Sequence, residues 1–108
     1  EKFIKENPKI YEKIYSMLEN TNHNTWLKIY KIFVHHEDDD ESIKKITSNT
    51  LVLTGRDDIG SKPKMSEEIS KLITRSKCKI IENGRHLCNI ECAKDFNLTI
   101  KKFIQSNA

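Results

Sequence analysis

An aspartate and a histidine 28 positions apart are the residues of this chain best suited to do chemistry. Asp58 closes TLVLTGRDD, an apolar run that stops at a glycine, an arginine and two carboxylates. His86 stands in ENGRHL, just behind an Asn-Gly pair. A carboxylate beside an imidazole fixes the ring's tautomer and stabilises its protonated form, so that the ring can take a proton from a nucleophile. Asp57 competes with Asp58 for this part; its own expected place is in solvent or against a nearby Lys or Arg. The plainer alternatives are a turn-forming aspartate that caps nearby amides and a surface-loop histidine.

Chemistry of this kind needs elements that bring the two loops together. Thr50 to Thr54 is short, apolar on both faces and rich in β-formers, which fits a buried parallel strand. Gly55 to Lys62 reads as a loop. Pro63 opens a helix to about Ile73, with Met65, Ile69, Leu72 and Ile73 inward. Lys77 to Glu82 is a second strand, and Asn83-Gly84 a turn. A last helix carries Phe96, Ile100, Phe103 and Ile104 at helical spacing. A crossover helix between two short strands implies parallel pairing and a right-handed connection. Functional groups of such sheets lie beyond the carboxyl ends of the strands. Asp57 and Asp58 follow the first strand, Arg85 and His86 the second, so the two loops are expected side by side.

Upstream, Asn7 and Pro8 read as the cap and first residue of a helix with Ile10, Ile14, Met17 and Leu18 at helical spacing. A polar break at Asn20 to Asn24 precedes a second amphipathic helix, with Trp26, Leu27, Tyr30 and Phe33 or Val34 on one side. HHEDDDES is a polar connection, and a short helical turn is expected over Ser42 to Ile46.

LVLTGRDDIGSKPKMSEEISKLI and NGRHLCNIECAKDFN resemble the C-terminal region of α/β-hydrolase-fold enzymes, in particular the esterase and lactonase branch typified by 3-oxoadipate enol-lactonases. In that family an apolar strand runs into G-x-x-D, and its aspartate is the triad acid. Carried over to Gly55-Arg56-Asp57-Asp58, the resemblance makes Asp58 the acid. It makes His86 the catalytic base, with Leu87, Glu91 and Phe96 in the supporting pattern. It covers residues 46–105 well and 1–45 loosely. The fold it implies is α/β: two cap-derived helices over 1–45, then strand, helix, strand, helix over 46–108 as the C-terminal part of the hydrolase core. The activity it implies is serine-dependent hydrolysis of a carboxylic ester or lactone, with no cofactor. Cap helices line the acyl or lactone pocket in that family, so Trp26 is a candidate substrate contact; its alternative is packing on its helix's apolar face. Asn49, Ile59 and Ala93 stand where the family often has proline, and Arg85 where glycine is frequent. No G-x-S-x-G and no cysteine version of it occurs among the 108 residues. The resemblance therefore implies an enzyme part whose serine lies elsewhere. A competing class is a non-catalytic truncated or split-gene piece that acts as an association module. The edges of a two-stranded sheet favour self-association or pairing with an N-terminal portion.

Bulk properties narrow the remaining classes. A chain of 108 residues is one small domain in size, and it begins at Glu1 rather than methionine, which reads as a processed or excised piece. Its 19 Lys and Arg nearly balance 16 Asp and Glu, leaving +3 with no basic block and no interleaved aromatics; nucleic acid is not an expected partner. No apolar run approaches the ~18 residues of a membrane span, and EKFIKENPK has no signal-peptide core. Cys78, Cys88 and Cys92 lack a disulfide spacing and read as reduced thiols of a cytoplasmic protein. Neither HHEDDD nor His86 with Cys88 and Cys92 is expected to hold a metal. Consecutive residues diverge from one another, and the second group shows no fourth ligand. A nucleotide-binding module needs a phosphate-cradling glycine loop, for which Gly60-Ser61 is a feeble candidate.

Overall fold

A computed structural model describes residues 2–35 and 39–107. The chain divides into two compact units, Glu1–Asp38 and Asp39–Ala108. The first is helical: α1 (Lys2–Glu6), α2 (Pro8–Glu19) and α3 (His23–Val34). Pro8 opens α2 as its ring geometry favours, but the Asn7 side chain does not cap it. Its amide donates to the Phe3 carbonyl at 3.1 Å instead. The sequence carries no periodic signal for α1, whose single turn supplies that competing acceptor. Asn22 does cap α3, accepting from the Thr25 N–H at 3.1 Å. Both longer helices have an apolar side, yet neither contains a buried residue.

The second unit holds α4 (Asp40–Lys44), β1 (Thr50–Gly55), α5 (Pro63–Leu72), β2 (Ser76–Ile81), α6 (Cys88–Glu91) and α7 (Ala93–Gln105). Asp39 caps α4, accepting from the Ser42 N–H at 3.1 Å and from its hydroxyl. Of the HHEDDD connection, His36, Glu37 and Asp38 lie outside the described residues. β1 and β2 pair in parallel, with Thr50 opposite Ser76 and Gly55 opposite Ile81. The crossover α5 packs on both strands, and α7 packs on β2. Ile73, Ile81 and Cys88 form the small buried core. Ile81 and Cys88 lie at the carboxyl ends of the strands, where the loops leave the sheet, and Ile73 lies at the other end, just before β2.

Leu51, Val52 and Leu53 are half-buried rather than buried on both faces as their composition suggests. Among the described residues β1 has one strand neighbour, so its other edge keeps unpaired backbone groups. Burial becomes complete only at Thr54 and Gly55, where the two loops close over the strand end. No helix among the described residues is long and apolar enough to cross a membrane. All three cysteines are free thiols.

Candidate active site

Two glycines let the loops after β1 and β2 touch. The Arg56 N–H extends the ladder by donating to the Ile81 carbonyl at 2.9 Å. The Asp57 N–H then donates to the Gly84 carbonyl, also at 2.9 Å. A Cβ on Gly55 would stand 2.2 Å from that same carbonyl oxygen and 2.6 Å from the Arg85 oxygen. Gly84 is equally confined, since a Cβ there would meet the Cβ of Cys88 at 2.7 Å. Just before it, Asn83 turns the chain with φ 60°, a left-handed conformation that asparagine tolerates better than most residues.

Backbone atoms on both sides fix that contact, so a side chain at position 55 has nowhere to go. We expect Gly55→Ala to destabilise the second unit by about 1–3 kcal/mol, the cost typical of overpacking. Chemical denaturation checks this. A loss under about 0.5 kcal/mol would mean that the loops separate at little cost and do not define the site.

The loop after β1 folds around its own carboxylate. Asp58 Oδ1 accepts from the backbone N–H groups of Gly60 and Ser61, each at 2.9 Å. The buried Thr54 hydroxyl holds the far side of the loop by donating to the Ser61 carbonyl at 2.8 Å. The other carboxylate oxygen, Oδ2, meets Nδ1 of His86 at 2.9 Å. The Asp58 side chain is 5% exposed and that of His86 74%. A buried acid thus faces an exposed base.

The Ser61 N–H holds the Asp58 carboxyl below the ordinary aspartate range. Burial works against this, and His86 and the Gly60 N–H add to it. Ionised, the carboxylate can only accept, so the proton of a neutral His86 must sit on Nδ1 and point at Oδ2. That leaves Nε2 as a free acceptor towards solvent. No hydroxyl or thiol among the described residues is bonded to it. The arrangement can take a proton from a group brought to Nε2 and hold the resulting charge.

The sign of the pH effect follows from the depressed Asp58 value. Its contribution to stability is present above the unfolded-state aspartate value of about 3.9 and is lost as pH falls through the folded one. Following the Asp58 side-chain carbon by NMR should show it titrating below that value, and Asp58→Asn should flatten the acid arm of the stability profile. Titration at or above 3.9 in the folded chain would contradict the hydrogen-bonding scheme.

A fork of two bonds ties the same strand ends from outside. Arg56 Nη2 and Nε donate to Glu82 at 2.7 and 3.2 Å. The hydrogen bond to Glu82 raises the arginine's pKa, and the bond from Arg56 lowers that of the carboxyl. Both side chains are exposed, so the fork sets geometry more than stability. Asp57 is exposed on the same loop. Behind His86, the Glu91 carboxylate accepts from the Arg85 N–H at 2.8 Å.

Sequence reasoning singled out Asp58 and His86, and the structure brings them together. The amide-capping turn, given as the plainer alternative for Asp58, is present together with the histidine contact, whereas the choice of Gly60 and Ser61 as donors, the Thr54 latch and the Arg56–Glu82 fork were not foreseen. All three depend on loop conformation, and G-R-D-D-I-G-S shows only that a turn occurs there. Trp26 belongs to the first unit. It is half exposed on α3 and stacks on Tyr30, ring centres 4.9 Å apart and planes 9° from parallel. With Leu18, Thr21 and His23 it lines a concavity of about 270 Å³. Cys88 is buried beneath Gly84, and burial pushes the Cys78, Cys88 and Cys92 thiols up. Protonated thiols of this kind are poor nucleophiles. No group of three or more metal-ligating side chains occurs among the described residues.

A solved structure is similar to this chain in its fold: a serine hydrolase involved in carbazole degradation, the CarC enzyme, at 30% identity and TM-score 0.61. The chain resembles part of a serine hydrolase. The match covers 65% of this chain and 27% of that enzyme, so the chain spans about a quarter of the hydrolase's length. No family model matches the chain, and no curated protein does. The mixed α/β arrangement with its small parallel sheet is consistent with a segment of the α/β-hydrolase fold. A hydrolase-like origin follows from the same likeness.

Proposed function

We propose that this chain supplies the acid and base of a serine hydrolase that acts on carboxylic esters or lactones of the 3-oxoadipate enol-lactone type. The observation that carries this is the 2.9 Å contact between Asp58 Oδ2 and His86 Nδ1, made at the carboxyl ends of two parallel strands. His86 is the general base: Nε2 takes the proton of an attacking serine hydroxyl and later gives it to the leaving oxygen. Asp58 holds the ring's tautomer and balances the charge that forms on it. The serine comes from polypeptide outside these 108 residues. The helices of 1–45 belong to the cap, and Trp26 contacts the substrate there. No cofactor enters the reaction, and the protein works in the cytoplasm.

The test is complementation. The chain alone should hydrolyse neither a small activated ester nor an enol-lactone above a His86→Ala control. Joined to the serine-bearing segment of the similar hydrolase, it should do so, and His86→Ala should abolish the turnover. Equal turnover by the joined protein with and without His86 would sink the proposal. The open edge of β1 favours a second reading, an association module without catalysis. In that case a complex forms in the same experiment and turns nothing over.

A further inference from the structure

We infer that Glu91 is a positioning residue for His86: its carboxylate, by holding the Arg85 N–H, sets the backbone from which the imidazole reaches Asp58. The inference rests on the hydrolase reading only for the use made of His86, not for the geometry.

Among the described residues the backbone of His86 makes no hydrogen bond of its own. Its position is inherited from its two neighbours. On the far side, Leu87 is held by α6, its carbonyl accepting from Ile90 at 2.8 Å and from Glu91 at 2.9 Å. On the near side, the Arg85 carbonyl accepts from the Cys88 N–H at 3.1 Å, and the Arg85 N–H donates to Glu91 Oε2 at 2.8 Å. The Glu91 contact is the only one of these made by a side chain. It closes a ring from 85 to 91 with His86 inside it.

Glu91 can act as a fixed point because its helix is anchored. Cys88, at the start of α6, is buried in the core against Gly84. The thiol of Cys92, the next residue after the helix, donates to the Glu82 carbonyl at 3.6 Å. A bond from a backbone amide to a carboxylate is among the stronger hydrogen bonds, and its direction is set by the planar acceptor. Without it, the peptide that carries the Arg85 N–H keeps only the bond its Gly84 carbonyl accepts from Asp57, and the donor that faces the histidine turn loses its fixed direction. Its neighbour His86, largely exposed, has only the Asp58 contact to hold it.

The experiment uses the isotopically labelled 108-residue chain with Glu91→Ala and Glu91→Gln variants. Two signals are read: hydrogen exchange of the Arg85 amide, and the imidazole Nδ1 proton of His86, assigned by its loss in Asp58→Asn. Glu91→Ala should speed Arg85 exchange by about tenfold and weaken the His86 Nδ1 proton signal. Glu91→Gln keeps a neutral acceptor of the same length and should recover both in part, which a purely structural loss would not do. An unchanged His86 signal in Glu91→Ala overturns the inference, whether or not the Arg85 amide responds. Should Glu91→Ala prove poorly folded, Glu91→Gln and Glu91→Met decide together: the inference stands if Glu91→Gln, which keeps an acceptor, retains signals that Glu91→Met, which keeps the length but no oxygen, loses, and signals unchanged in Glu91→Met overturn it. Failure of the hydrolase reading shows itself differently, as a joined protein without turnover whose Glu91 variants still move the His86 signal.

Discussion

In the joined hydrolase, His86→Ala is expected to lower kcat by about 10⁵- to 10⁶-fold, the scale seen when the base of a serine triad is removed. A serine hydroxyl is a weak nucleophile until a base takes its proton, and Nε2 is the atom the structure leaves free for that purpose. The ring lies mostly in solvent, so its truncation leaves no buried void and little stability is lost. Binding should also survive, because alanine removes a group needed in the transition state rather than a wall of the pocket. KM is therefore expected to change by less than about tenfold while kcat collapses. Steady-state kinetics with an activated ester separate the two. A fall of less than tenfold in kcat would mean that another group accepts the proton.

Asp58→Asn should cost about 10⁴-fold in kcat at neutral pH with the fold intact, as loss of the triad carboxylate does elsewhere. The loop itself dictates why. Gly60 and Ser61 both aim N–H groups at Oδ1, so the asparagine oxygen will settle there and its NH₂ will face His86. An amide donor opposite Nδ1 forces the imidazole proton onto Nε2. The ring then presents a donor where the serine needs an acceptor. The substitution thus reverses the base and leaves its position unchanged. The pH dependence of the residual rate and the imidazole nitrogen shifts report that reversal. Activity within tenfold of the parent would move the acid's role to Asp57.

Periodic elements were the legible part of this fold. β1, α5, β2 and α7 each repeat an apolar pattern long enough to read, and their observed limits differ from expectation by a residue or two. At β2 the shift comes from pairing: the Thr50 N–H donates to the Arg75 carbonyl, so the ladder starts at Ser76 rather than Lys77. α1 and α6 span one turn each, too short for a period to show. Asp58 and His86 were legible because the resembling motif flanks them and because parallel strands bring their loops together. The partners that hold them were legible only in kind, as amides near Asp58 and a glutamate after His86, and not in their geometry. Glu91, which only the resembling motif singles out, reaches Arg85 from the single turn of α6 with no repeat to mark the contact, and Arg56 finds Glu82 only once the register of β1 on β2 is fixed.

The short crossover has a consequence for how such a chain is inherited. Acid, base, the glycines between them and the carboxylate behind the histidine all fall between Thr50 and Glu91, on one uninterrupted stretch. A recombination break anywhere before Thr50 carries the whole half-site across intact. Whatever gene receives it acquires a paired aspartate and histidine already set in register. It still needs a strand to lay along β1, a hydroxyl to place before the imidazole and donors for the oxyanion.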